Sequence, residues 1–129
     1  MWRLCNAATI LVVDGNNVIG AIADGWWHDR PAAVRRLLGR MQCLGEPAVL
    51  VLDVEQLDLL EGDHGGITVR YATRWGRDAA DDRIRELVTG TPEATVVTSD
   101  RVLRHDVEAA GLTVIGAKAY LARLGAAGC

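Results

Sequence analysis

Phenylalanine is absent from this 129-residue chain, and tyrosine occurs only twice. There are three cysteines, Cys5, Cys43 and Cys129, without C-x-x-C or Cys/His spacing, which argues against a disulfide framework and against a zinc site. The thiols suit a reducing, cytoplasmic setting. No segment approaches the length of a membrane span. The apolar stretch near the start is short and ends in Asp14, so it reads as a strand rather than a signal peptide. Basic residues are not in excess: the formal charge is -3, which excludes a generally basic nucleic-acid coat but leaves room for a local phosphate-binding groove. Repeats and low-complexity tracts are also missing. Half of the residues are hydrophobic, enough for one domain over residues 1–129 with a core that needs no staple.

Short apolar runs rich in β-branched residues alternate with helical patterns. The runs are "TILVV" (9–13), "AVLVL" (48–52), "ITVRY" (67–71), "ATVV" (94–97) and "LTVI" (112–115). Four are almost continuously apolar, as strands buried on both faces should be, and the mixed "ITVRY" fits an edge. Between them, Asp29 and Pro31 open a helix that places Val34, Leu37, Leu38 and Met41 on one face and stops before Gly45. A second helix opens near Asp78, which reads as its N-cap, and buries Ala80, Ile84, Leu87 and Val88. A third runs from Ser99 to before Gly111, and a fourth from about Ala117 to Leu124. Residues 55–66 read as a loop. Strand and helix in alternation imply right-handed parallel crossovers in a three-layer α/β sandwich.

In such sheets, ligands bind at the carboxyl ends of the strands. Three strands run into an aspartate there: Asp14, Asp53 and Asp100. Gathered carboxylates repel one another, and the arrangement makes sense chiefly with a cation among them. Oxygen donors without His or Cys favour Mg²⁺ or Mn²⁺. Each acid also has a plainer reading: Asp14 as a turn former before Gly15, Asp53 as the start of a loop, and Asp100 in a first helical turn.

The stretch "GRDAADDRIREL" (76–87) adds three more aspartates. At about 100° per residue, Asp81 lies roughly 75° from the centre of the apolar face and Asp82 roughly 175° from it. Asp81 therefore borders the core and is a site candidate. Asp82 points outward and suits a surface pair with Arg85. Arg77 and Arg101 adjoin candidate ligands and are the best phosphate contacts among many ordinary surface arginines. Trp26 and Trp27, in "DGWWHDR", can either stack bases or cover the end of the first helix.

Together these pieces resemble the NYN domains of the PIN-like nuclease superfamily, most closely the YacP-like branch. "VVDGNNVIGA", "VLVLD", "GRDAADDRI" and "VVTSDR" occur in that branch's order and spacing. The resemblance implies a five-stranded parallel sheet in the order 3-2-1-4-5. It also implies Mg²⁺-dependent endonuclease activity, usually on RNA and sometimes in association with the ribosome, with no small-molecule cofactor. Carried over by motif, Asp14, Asp81 and Asp100 are metal ligands and catalytic, with Asp53 and Asp82 as supporting acids. Asn17, Ser99, Arg101, Arg77 and Trp26 are the substrate contacts. The chain departs from the pattern at Asn16, where an aromatic residue is common, and at Asp82, where a small polar residue is common.

Other classes fit less well. A receiver domain would use Asp53 as phosphoacceptor but lacks the acidic pair after the first strand. A haloacid-dehalogenase-type phosphatase needs a second acid where Asn16 stands. P-loop and Rossmann glycine patterns are missing. A non-catalytic RNA- or protein-binding module of the same fold, and a PIN-type toxin nuclease, remain as alternatives.

Overall fold

A computed structural model describes residues 10–76 and 78–129. Arg77, Thr9 and Cys5 lie outside the described residues. The first strand, β1 (Ile10–Asp14), runs directly into a short helix, α1 (Gly15–Gly20). A 3₁₀ turn at Trp26–His28 precedes α2 (Arg30–Leu44), and β2 is Ala48–Leu52. Then come β3 (Gly62–His64), β4 (Ile67–Tyr71), α3 (Ala79–Val88) and β5 (Ala94–Val97). The chain continues through α4 (Arg101–Ala109), β6 (Thr113–Ile115) and α5 (Ala117–Ala126).

Among the described residues the sheet has six strands in the order β3-β4-β2-β1-β5-β6. The five expected strands are all parallel and stand in the expected order. The sixth, β3, corrects the loop expectation for residues 55–66: Gly62, Asp63 and His64 pair antiparallel with Val69, Thr68 and Ile67. β4 is thus the outermost parallel strand, and β3 covers its free edge, which a bare strand would offer to other chains.

Alternation along β1 sends Leu11 and Val13 into one core and Val12 into another. The first core is closed by Val34, Leu37, Leu38 and Met41 of α2 and by Ala117, Tyr120 and Leu124 of α5. The second is closed by Ala80, Ile84 and Val88 of α3 and by Leu103 and Val107 of α4. Helices on both faces of a parallel sheet give the three-layer sandwich that the strand pattern implied.

The ends of α2 form as expected: Asp29 accepts from the Ala32 amide at 3.1 Å, and Gly45 takes a left-handed φ of 78° just past the last turn. Asp78 differs. It stands at the start of α3 with φ 65°, and its side chain makes no cap hydrogen bond. Asp100 instead supplies a cap, accepting from the Leu103 amide at 2.9 Å at the start of α4.

The cysteine expectation is corrected as well. Cys43 and Cys129 form a disulfide, with Cα atoms 5.7 Å apart. Their separation of 86 residues hides the pairing from the sequence. It depends on α2 lying alongside α5. Among the described residues, no helix is long and apolar enough to cross a membrane.

Candidate active site

β1 is flanked by β2 and β5, so Asp14 emerges from the middle of the carboxyl edge of the sheet. Gly15 follows because nothing larger fits. A Cβ there would lie 2.7 Å from Leu52 Cδ2, 2.8 Å from Leu50 Cδ1 and 2.9 Å from the Val51 carbonyl oxygen. This close approach lets α1 begin without an intervening loop, which places Asn16 and Asn17 beside the acid.

Asp14 is 3% exposed. Its Oδ2 accepts from the Thr98 hydroxyl at 2.9 Å. Burial pushes its carboxyl up to about 6, with Asp81 and Asp100 adding to the rise, while the bonds from Thr98 and from the Asn17 amide oppose it. Asp81, half-buried in the first turn of α3, is also pushed up to about 6. Burial is the largest cause, followed by the charge of Asp100, with Arg85 acting in the opposite direction. Asp100 is linked to the first acid through Thr98, whose Oγ1 accepts the Asp100 amide at 3.1 Å. The fold therefore brings Asp14, Asp81 and Asp100 into one electrostatic cluster, although they lie far apart in sequence.

The supporting acids are engaged elsewhere. Asp82 accepts from Arg74 Nε at 2.8 Å and from Arg85 Nη1 at 3.0 Å. The Arg74 bond in particular holds its carboxyl below the ordinary value. Asp53 pairs with Arg30 at 3.6 Å, and its amide donates to Asn16 Oδ1 at 2.9 Å.

The expected substrate contacts divide in the same way. Asn17 Oδ1 accepts the Ser99 amide at 2.7 Å, and Ser99 Oγ accepts the Ala117 amide at 2.8 Å. Both side chains are thus occupied in tying loops together. Arg101 is exposed on the first turn of α4. Trp26 packs against the first core with Arg30 over its ring at 5.7 Å, which fits the helix-covering reading. Trp27 is the exposed member of the pair, at 60%. His105 lies exposed on α4. Thr98 was not singled out for this role, yet a polar residue directly after the two valines that end β5, in "VVTSD", is the signal that marks it. Asn16 is the other site residue whose part was missed.

Two cavities of about 450 Å³ meet at Asn16. One reaches toward Arg30, Arg35 and Asp53; the other toward Asn17, Ser99 and Lys118. Together they form a crevice across the carboxyl edge of the sheet.

The donor chemistry fits a hard divalent cation, since three carboxylates, two of them resisting ionisation, are stabilised by positive charge. Among the described residues, no three His, Cys, Asp or Glu side chains close around one point as a finished cage. An ion here would draw on these carboxylates and leave water and substrate to complete its shell, as is usual for Mg²⁺.

No protein-family model matches the chain, and no curated protein matches it. Solved structures do. Two crystal structures of Rae1 (YacP) from Bacillus subtilis, one of them a point mutant, superpose with TM-scores of 0.73 and 0.71 at 22% and 23% identity. Each alignment covers 92% of this chain, and 76% and 74% of the respective neighbour. The chain has the fold of Rae1 (YacP), the fold that the sequence resemblance implied.

Proposed function

We propose that the chain is a divalent-metal-dependent endoribonuclease that hydrolyses RNA phosphodiester bonds at Asp14, Asp81 and Asp100. The observation that carries this reading is Asp14, buried at the carboxyl edge of the sheet with its carboxyl pushed up to about 6, chiefly by burial and further by the charges of Asp81 and Asp100. The Rae1 (YacP) fold and the order of the four sequence motifs support it. A buried carboxylate that resists ionisation is costly to a fold unless a cation or a proton offsets it.

Asp14, Asp81 and Asp100 would hold Mg²⁺ or Mn²⁺, which when bound supplies a water of lowered pKa and positive charge against the scissile phosphate and leaving oxygen. The remaining work falls to the chain itself. Thr98 fixes the rotamer of Asp14 and the amide of Asp100. Asn16 and Asn17 hold the flanking loops. Arg101, exposed on the first turn of α4 next to Asp100, would contact phosphate, and Arg30 and Arg35, paired with Asp53 and Asp58 on the α2 side of the crevice, would do so only by exchanging those partners. No protein nucleophile is required.

The test is cleavage of mixed single-stranded and structured RNA with Mg²⁺, Mn²⁺ or EDTA, by wild type, Asp14→Asn and Asp81→Asn. Metal-dependent cutting lost in both variants is expected. Cutting that survives both substitutions overturns the site. One observation favours a second reading, an RNA-binding module that does not cut: the described residues hold no ready-made three-ligand cage. Clean protein that binds RNA but cuts it with neither ion selects that reading.

A further inference from the structure

Trp75 is 90% exposed, in the turn between β4 and α3. Its backbone is tied to the start of α3 through Arg74. Arg74 donates to Asp82 on α3 through Nε and, through Nη1, to the carbonyl of Trp75 itself at 3.2 Å. The guanidinium that grips the residue after Asp81 thereby fixes the backbone of the tryptophan. Trp75 lines a cavity of about 240 Å³ with Asp53, Val54, Glu55, Ala72, Thr73 and Arg74. Val54, which follows the acid ending the second strand, is itself 52% exposed. A large aromatic surface left in water beside a second apolar side chain is a binding feature more often than a packing one.

Charge decides what the cavity can take. Asp53, Glu55 and Arg74 line it; Asp53 is paired with Arg30 and Arg74 with Asp82, so the charge of Glu55 is the one left to meet a ligand and it disfavours a phosphate. A neutral, flat group carrying N–H donors on its edge would be accepted, by stacking on the indole and donating to a carboxylate.

We propose that this cavity takes one unpaired base of single-stranded RNA, stacked on Trp75, with Glu55 reading its exocyclic amino edge. The inference rests on the RNA-directed reading above and names its substrate class as strand with an unstacked base. A duplex does not offer a free base face, and is not engaged here.

The experiment measures binding in EDTA, where no cutting occurs, by fluorescence anisotropy of labelled oligo(C), oligo(U) and a duplex. Proteins compared are wild type, Trp75→Ala, Trp75→Phe and Glu55→Gln. Because the indole touches mostly solvent, its removal should leave the melting temperature unchanged. Trp75→Ala should weaken both single strands about tenfold, and Trp75→Phe should restore most of the loss. The loss should persist as salt is raised, since stacking releases no counterions. Oligo(C) should bind more tightly than oligo(U), and Glu55→Gln should narrow that preference. Unchanged single-strand affinity in Trp75→Ala overturns the pocket, as does equal weakening of duplex and single strand. Either result leaves metal-dependent cutting standing. Trp75-dependent binding by a protein that cuts with neither ion keeps the pocket and removes the hydrolytic reading. A wild type that binds no RNA overturns both.

Discussion

The Thr98 hydroxyl donates to Oδ2 of Asp14 across 84 residues of sequence, at 2.9 Å, in a fully buried position. Thr98 Oγ1 in turn accepts the Asp100 amide at 3.1 Å. One hydroxyl thus sets the distance between two of the three acids.

Thr98→Val keeps the shape of the side chain and removes the link. It leaves a buried carboxylate oxygen and an amide without their partner, which should cost about 1–3 kcal/mol by urea unfolding. The bond from Thr98 lowers the Asp14 carboxyl, so its loss moves that group further above about 6. The acid limb of the cleavage profile should shift to higher pH, and Thr98→Ser should return it. Equal acid limbs in the Val and Ser variants would show that Thr98 only fills space.

Asp14→Asn should abolish cutting yet stabilise the metal-free protein near neutrality. The folded carboxyl is raised from 3.8 to about 6, chiefly by burial. Its contribution to stability is therefore fully present below 3.8 and is lost as pH rises through about 6. At about 1.4 kcal/mol per pH unit, the variant should gain about 1–3 kcal/mol over wild type above that pH, and almost nothing near pH 4. Unfolding in EDTA at several pH values measures the gap. A gap independent of pH contradicts the assignment.

Gly15→Ala should lose about 1–3 kcal/mol, since its Cβ meets two leucine methyls and a backbone oxygen inside 3 Å. The carbonyl of Val51 cannot rotate away. Gly20→Ala is the control: it lies on the same helix and a Cβ there meets nothing within 4 Å. Chemical unfolding of both should separate them clearly. Equal stability would mean that α1 can lift from the sheet.

Reducing the Cys43–Cys129 bond, or Cys43→Ser, should lower stability by about 2–4 kcal/mol. The Arg40 Nε to Cys129 carbonyl bond, at 3.0 Å, still tethers that end of α5 to α2. Mass change on thiol alkylation, with and without prior reduction, reports whether the bond exists in purified protein. A free pair would accord with the reducing compartment that the sequence favours.

Features that repeat along the chain were legible before the structure. Asp29, Pro31 and Gly45 mark both ends of α2, and continuous apolar runs mark the parallel strands. Isolated features were not. β3 is three residues, "GDH", with no strand propensity of its own, and it exists because β4 offers it an unpaired edge. α1, "GNNVIG", reads poorly as helix and is held by packing against the sheet. Asp78 looked like a cap by position, yet a left-handed backbone turns its side chain from that duty. The acids Asp14, Asp81 and Asp100 could be picked out from strand ends and a helical wheel. The bridge of Thr98 between two of them could not, because it depends on the register of β1 against β5.

Asn16 and Asn17 are neighbours, yet Asn16 holds the chain leaving β2 and Asn17 holds the chain leaving β5. Those two loops are therefore linked through two adjacent side chains and the peptide unit between them. Many α/β proteins open and close at this seam by a hinge. Here the seam is sewn, and neither half can swing without breaking a bond to an asparagine. The two walls of the crevice are thus tied to each other through the start of α1.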